Sequence, residues 1–343
     1  MSRILSQPFT LPCGVVIKNR IGKAPMTEGL ADCWDRPTPE LCRLYERWAM
    51  GGTGLSVTGN VMIDHRFLER PGNVVIENED NLDLLKDWAA AGTRNDTQLW
   101  MQISHPGRQS PGYITREPLA PSEVKVDMLW VHAKPRALRE TEILGIIERF
   151  ARVGAIAKKA GFTGVQLHAA HGYLISEFLS PLVNKRTDKW GGSLENRARL
   201  LLESVRATRA AVGPDYPISV KLNSSDFQKG AFSEEDSRTV IQWLEAEGVD
   251  LIELSGGTYE HMALLDEAGS TTASGEKIIA AASAKREAYF LDMAQKIRQM
   301  SAIPLMVSGG FRTLEGMEEA VESGVTNLVG LGRPLSSEPE LYS

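Results

Sequence analysis

The segment His168-Ala-Ala-His171-Gly-Tyr173 puts two imidazoles and a phenol close together in the chain. Imidazole N–H groups can hold and polarise a carbonyl oxygen, and a phenolic O–H can give up a proton. Paired histidines can also ligate a metal. A metal would want a further ligand such as Asp or Glu, and none follows before Glu177. The carbonyl reading is therefore the stronger one, and no metal is expected. Lys221 stands in the apolar run Ile218–Leu222. It can form a Schiff base with a carbonyl substrate, or stay charged and stabilise an anion. Nothing next to it in the chain decides between these.

Two glycine clusters, Ser308-Gly309-Gly310 and Gly330-Leu-Gly332-Arg333, carry a second kind of chemistry. Glycines let backbone N–H groups approach an anion, and an arginine adds a bidentate charged contact. Each glycine alone reads as a tight turn. The two clusters together with Arg333 read as a phosphate site.

These residues need a frame that brings them together. Short apolar runs recur at Ile21–Pro25, Gly54–Thr58, Gln98–Ile103, Gly164–His168, Ile218–Leu222, Leu251–Leu254, Pro304–Ser308 and Asn327–Gly330. Most show no alternation, as expected of strands buried on both faces. Between them lie amphipathic stretches at Thr38–Met50, Leu82–Ala91, Glu142–Ala160, Ser193–Val212, Ser233–Glu247, Lys285–Met300 and Thr313–Ser323. Several open on a capping Ser or Thr and close on Gly. Strands alternating with helices in this number predict an α/β fold, an eight-stranded parallel (β/α)8 TIM barrel. An open doubly wound sheet is the alternative, and the chain lacks an early G-x-G-x-x-G fingerprint for it. In a barrel the active site lies at the C-terminal ends of the strands, where all the residues above fall. The stretch 105–140 is long and proline-rich, with no strong helical period. It comes after strand three and is expected to form a capping lid over the mouth. One domain spanning 1–343 is expected.

Composition sets outer limits. The net charge of −6 argues against a nucleic-acid partner, which a basic face usually serves. No apolar stretch is long enough for a membrane helix, and Met1–Pro12 lacks the apolar run of a signal peptide. Three cysteines, Cys13, Cys33 and Cys42, fit neither a disulfide framework nor a four-cysteine cluster, so a reducing, cytoplasmic setting is expected.

Together these segments resemble the Old Yellow Enzyme family of flavin-dependent ene reductases. The matching pieces are Lys18-Asn19-Arg20, Ala24-Pro25-Met26-Thr27, Gln102 with His105-Pro-Gly-Arg108, and Ala120-Pro121-Ser122. The long run from His168 through Phe178-Leu-Ser-Pro181, Asn184, Arg186, Asp188, Gly191-Gly-Ser193 and Glu195-Asn-Arg197 is the most specific part. Ser308-Gly-Gly310 and Gly332-Arg333-Pro334 close it.

The resemblance implies non-covalent FMN in the barrel mouth and NAD(P)H as a transient hydride donor. Ala24, Pro25, Met26, Thr27, Gly59 and Gln102 would contact the ring, with His168 close enough to touch it. Lys221 would stand near flavin N1 and O2, which sets the Schiff base aside. Ser308, Gly309, Gly310, Gly332 and Arg333 would hold the phosphate. The partner is then a small α,β-unsaturated carbonyl compound, held at its oxygen by His168 and His171 and protonated by Tyr173. The sequence departs from the family at Trp190, where many relatives have Tyr. It departs again at Glu28-Gly29, where some have an aromatic residue, and at Lys221, where Arg is common. A homo-oligomer is compatible with this reading. Competing readings are a flavin barrel with lost or redirected reductase activity and, in another class, a Schiff-base lyase using Lys221.

Overall fold

In the computed structural model, residues 4–126, 131–257, 289–311 and 313–340 are described. Eight parallel strands form the barrel. They are β1 (Ile21–Lys23), β2 (Leu55–Met62), β3 (Gln98–Ser104), β4 (Gly164–Ala169), β5 (Ile218–Asn223), β6 (Leu251–Ser255), β7 (Leu305–Ser308) and β8 (Leu328–Leu331). Each pairs with its sequence neighbours, and β8 pairs with β1 to close the ring. All eight predicted runs are strands.

The helices keep the predicted punctuation. Pro39–Met50 is capped by the Thr38 hydroxyl, which accepts from Leu41 N. Glu234–Ala246 begins with a reciprocal capping box between Ser233 and Asp236. Glu140–Ala160 ends at Gly161, whose φ of 100° is left-handed and suits glycine. The predicted helix Lys285–Met300 is described over 289–300 and is helical over 289–298, ending in a turn; Lys285 itself lies outside the described residues.

Strand two departs from expectation. It continues past Thr58 to Met62, so Gly59 and Asn60 lie inside it. Its register against β3 shifts between Val57 and Asn60. A bulge of this kind bends a strand and re-aims the side chains beyond it. Sequence patterning does not reveal it, because glycine in an apolar run reads as a strand end. Two short helices are also absent from the pattern: Leu174–Leu179 after β4 and Arg333–Ser337 after β8. A hairpin of two short strands, Phe9–Thr10 with Val16–Ile17, packs Leu11 and Ile17 against barrel residues Leu55, Leu251 and Leu328.

The lid expected over 105–140 is a folded excursion. Leu119–Ala120 pairs in parallel with Arg136–Ala137, and Arg108 donates to Val124 O and Lys125 O. Residues 127–130 of the excursion lie outside the described residues. Among the described residues, no helix is long and apolar enough to cross a membrane.

Candidate active site

The C-terminal ends of the strands open into a cavity of about 680 Å³. Ala24 and Met26 after β1, Lys221 on β5, Ser308, Gly309 and Gly310 at the end of β7, and Gly332 and Arg333 after β8 all line it. Its volume is in the range of small-molecule and cofactor sites. Gly309 and Gly310 have φ of 99° and 93°, a conformation that disfavours any side chain. A Cβ on Gly309 would meet open space, whereas one on Gly330 would run into Ser308 Oγ. That hydroxyl is buried and has no partner among the described residues. Arg333 is exposed, and its guanidinium makes no ion pair among them. An orphaned hydroxyl, an open left-handed glycine pair and an unpaired guanidinium are the donor set that a phosphate requires. These residues therefore fit the phosphate end of FMN.

From Lys221 in the cavity wall a continuous polar chain runs across four strands. Lys221 Nζ lies 2.7 Å from Glu253 Oε1. Gln166 Nε2 donates to Glu253 Oε2 at 2.9 Å, and Gln102 Nε2 donates to Gln166 Oε1 at 2.8 Å. All four side chains are buried. A charge this deep is tolerated only when paired and hydrogen-bonded, and Glu253 supplies that for Lys221. Glu253 and Gln166 escape a reading of the sequence alone. Their signal is a polar side chain in an apolar, doubly buried run, Leu251-Ile-Glu-Leu254 and Gly164-Val-Gln-Leu167.

The histidines and Tyr173 form one aromatic cluster at the end of β4. The His168 ring stands edge-on to Tyr173 at 4.7 Å and to His171 at 5.2 Å between centroids. His171 and Gly172 have φ of 62° and 76°, so the chain turns sharply and delivers Tyr173 to the start of the next helix. A left-handed non-glycine residue is costly and is often found where function fixes geometry. His171 is held there on three sides. Its N–H donates to Asn223 Oδ1 at 3.3 Å, its carbonyl accepts from Gln109 Nε2 at 2.8 Å, and its Nε2 shares a hydrogen bond with Ser255 Oγ. Ser255 also lines the cavity, so it joins the histidine cluster to Lys221. Burial, then His171 and Lys221, hold His168 well below the usual imidazole range. Burial and Lys221 lower His171 as well. Both rings are thus neutral at pH 7 and present one N–H each, the form that donates to a carbonyl without surrendering a proton to it.

Thr27, Gly59 and Asn60 sit beside a separate, narrow crevice between the β1 loop and β2. The bulge exposes Gly59 N–H, and Glu28 Oε1 accepts it at 3.0 Å. Glu28 also accepts from the Tyr45 hydroxyl and pairs with Lys23 at 3.5 Å. Lys23 is wholly buried, donates to Val57 O at 2.8 Å and lies over the Trp48 ring at 4.5 Å. Burial lowers its pKa to about 8, with Glu28 opposing. A Cβ on Gly59 would collide with Glu28 and Met26, so the packing of the β1 loop alone requires glycine there. Glu28, a departure from the family pattern, is the residue that seals the bulge.

Much of the specific 178–197 run builds scaffold. Asn184 Nδ2 donates to Phe178 O and Trp190 O, both at 2.8 Å. Arg186 pairs with Asp188 and reaches Leu138 O at 2.7 Å, tying this loop to the lid. Glu177 accepts from Arg108 N at 2.7 Å and occupies the space a Gly107 side chain would need.

A parallel β/α barrel with a cradle suited to phosphate after strands seven and eight and a buried cation beneath the mouth defines a barrel built to hold a phosphate-bearing ligand. The sequence model of the NADH:flavin oxidoreductase / NADH oxidase family matches residues 5–343, and the chain belongs to that family. It is an FMN-dependent oxidoreductase served by a nicotinamide donor. It is 36% identical to the NADH-dependent flavin oxidoreductase iliE of Hypocrea jecorina, over 98% of this chain and 87% of that one. Its fold matches an old yellow enzyme homologue from Zymomonas mobilis with a TM-score of 0.81 and 26% identity, covering 98% and 90% of the two chains. It matches a 2-naphthoyl-CoA reductase with a TM-score of 0.90 and 27% identity, covering 99% of this chain. The chain spans about half the length of that reductase, 52%.

Proposed function

We propose that this chain is an ene reductase acting on small α,β-unsaturated carbonyl compounds. The observation that carries the reading is the His168–His171–Tyr173 cluster, joined through Ser255 to the cavity that Lys221 lines. Bound FMN would supply hydride transfer from NADH or NADPH to the substrate's β-carbon. Ala24, Pro25, Met26, Thr27, Gly59 and Gln102 would contact its ring, and Ser308, Gly309, Gly310, Gly332 and Arg333 would hold its phosphate. Gln102 suits this because its amide nitrogen is fixed by Gln166, which leaves its carbonyl oxygen for a ring N–H. Lys221 keeps a positive charge where negative charge develops. His168 and His171 donate their N–H groups to the carbonyl oxygen and draw electron density from the alkene. Tyr173 then supplies the proton to the α-carbon. The 105–140 excursion caps the mouth of one domain spanning 1–343.

The ion pair with Glu253 favours this reading over a Schiff-base lyase, since a paired ammonium is not a nucleophile. The test is anaerobic. The purified protein with FMN is reduced by NADH or NADPH and then mixed with cyclohexenone. Tyr173→Phe is expected to slow flavin reoxidation by the enone on the order of a hundredfold, with flavin reduction nearly intact. A protein that stays colourless with added FMN, or equal damage to both half-reactions, would overturn the proposal. Borohydride trapping of a carbonyl compound on Lys221 would favour the lyase.

A further inference from the structure

We infer that Asn60 is a positioning residue for Tyr173, donating its side-chain amide to the phenolic oxygen and so directing the phenol's own proton toward the substrate. This rests on the proton-donor reading of Tyr173 above.

The geometry starts at the strand-two bulge. Asn60 is the residue at which β2 regains register with β3, opposite Gln102. Its backbone is pinned from both sides: Gly59 N–H is held by Glu28, and Asn60 O accepts from Asn73 Nδ2 at 3.5 Å. The bulge turns the Asn60 side chain inward, where it is 7% exposed. There Nδ2 lies 3.3 Å from Thr27 Oγ1 and 3.4 Å from the Tyr173 hydroxyl. One amide thus bridges the loop after β1 and the turn after β4. Without the bulge, alternation along the strand would send residue 60 to the other face.

The direction of the bond decides what it does. If Asn60 donates, a lone pair of the phenol is occupied and its O–H points elsewhere. As the proton leaves, negative charge builds on the phenolic oxygen, and a fixed N–H dipole there stabilises it. If Asn60 accepted instead, it would compete with the substrate for the proton. An amide offers both groups, whereas a carboxylate of the same shape only accepts at neutral pH.

Asn60→Asp and Asn60→Leu separate the cases, with the holoenzyme reduced by NADH and reoxidised by cyclohexenone. Both variants are expected to slow reoxidation about tenfold, the weight of one hydrogen bond in the transition state, and to raise its solvent deuterium isotope effect. In a Tyr173→Phe background they are expected to add nothing, because the group they position is gone. FMN affinity and the melting midpoint, read on the same samples, show that the fold and cofactor site are intact; if Asn60→Leu does not fold, Asn60→Asp and Asn60→Ser carry the test. Wild-type rates in Asn60→Asp would overturn the donor role. A slowing that multiplies with Tyr173→Phe would overturn the coupling to Tyr173. If Tyr173→Phe itself reoxidises at the wild-type rate while Asn60→Leu is slow, the proton-donor reading has failed separately.

Discussion

The Lys221 ammonium and the Glu253 carboxylate meet at 2.7 Å on the floor of the barrel mouth, on adjacent strands and in direct register. Both are buried, so the pair is coupled to stability as well as to the site. Lys221→Met leaves Glu253 buried without its ion-pair partner, with only the more distant Lys23 as counter-charge, which costs on the order of 3 kcal/mol. Adding Glu253→Gln removes that charge and keeps a group for Gln166 to bond. The double variant is expected to regain most of the melting midpoint and yet hold FMN with a lower midpoint potential than the wild type. Recovery of both stability and potential would show that the lysine is only structural.

The Lys23–Glu28 pair behind the strand-two bulge predicts a pH-dependent defect. Glu28→Gln still accepts Gly59 N–H but leaves Lys23 unpaired among Tyr45, Trp48 and Val57 O. The pKa of Lys23 in the fold is about 8, below its ordinary 10.5. Between these values the unfolded chain binds more protons, so this lysine's contribution to stability improves as pH rises through the window. Without Glu28 the lysine sheds its proton at a still lower pH. Glu28→Gln is therefore expected to cost on the order of 3 kcal/mol at pH 7 and much less at pH 10, read by urea unfolding. An equal loss at both pH values would mean that charge is not the cause.

His105 gives a signature of the same sign at a more acid pH. Its Nδ1 accepts Gly107 N–H at 3.0 Å, and burial lowers its pKa to about 4; Arg149 and Arg66 act in the same direction and Asp64 against it. The unfolded imidazole protonates near 6.5, so stability is lost as pH falls from 6.5 toward 4 and levels off below. The loss is about 3 kcal/mol at most. His105→Gln keeps an acceptor without a titrating group, and its unfolding free energy is expected to fall less steeply across that window. Identical slopes for the two proteins would remove His105 from the account.

Much of this frame is legible in residue order. The eight apolar runs are the eight barrel strands because a strand buried on both faces has little freedom in composition. Lys221 and the glycine clusters come together because strand ends share one rim. The features that stay hidden depend on partners distant in sequence. Glu253 reads as an anomaly until Lys221 is beside it, and Glu28 reads as a departure until the bulge exposes Gly59 N–H. Asn60 reads as a residue beyond the strand, because Gly59 before it has the look of a strand end. Arg108, Asn184 and Arg186 belong to the motif that carries the resemblance, yet each donates to backbone carbonyls of the lid or its neighbours.

The phosphate cradle can be tested without turnover. Gly330→Ala places a methyl group against Ser308 Oγ, inside close-packed backbone from β7 and β8. The hydroxyl cannot then stay where an anion would find it. Arg333→Met removes an exposed cation that has no structural partner among the described residues, so it should leave the apoprotein's melting midpoint unchanged. A charge-assisted bond is worth about 1.5–3 kcal/mol, which corresponds to roughly a ten- to hundredfold weaker FMN affinity in Arg333→Met. Riboflavin has the same ring and no phosphate, and its binding should be nearly indifferent to Arg333. Fluorescence quenching with both ligands reads this directly. A parallel loss of riboflavin and FMN affinity would place Arg333 at the ring, and no loss of either would remove it from the site.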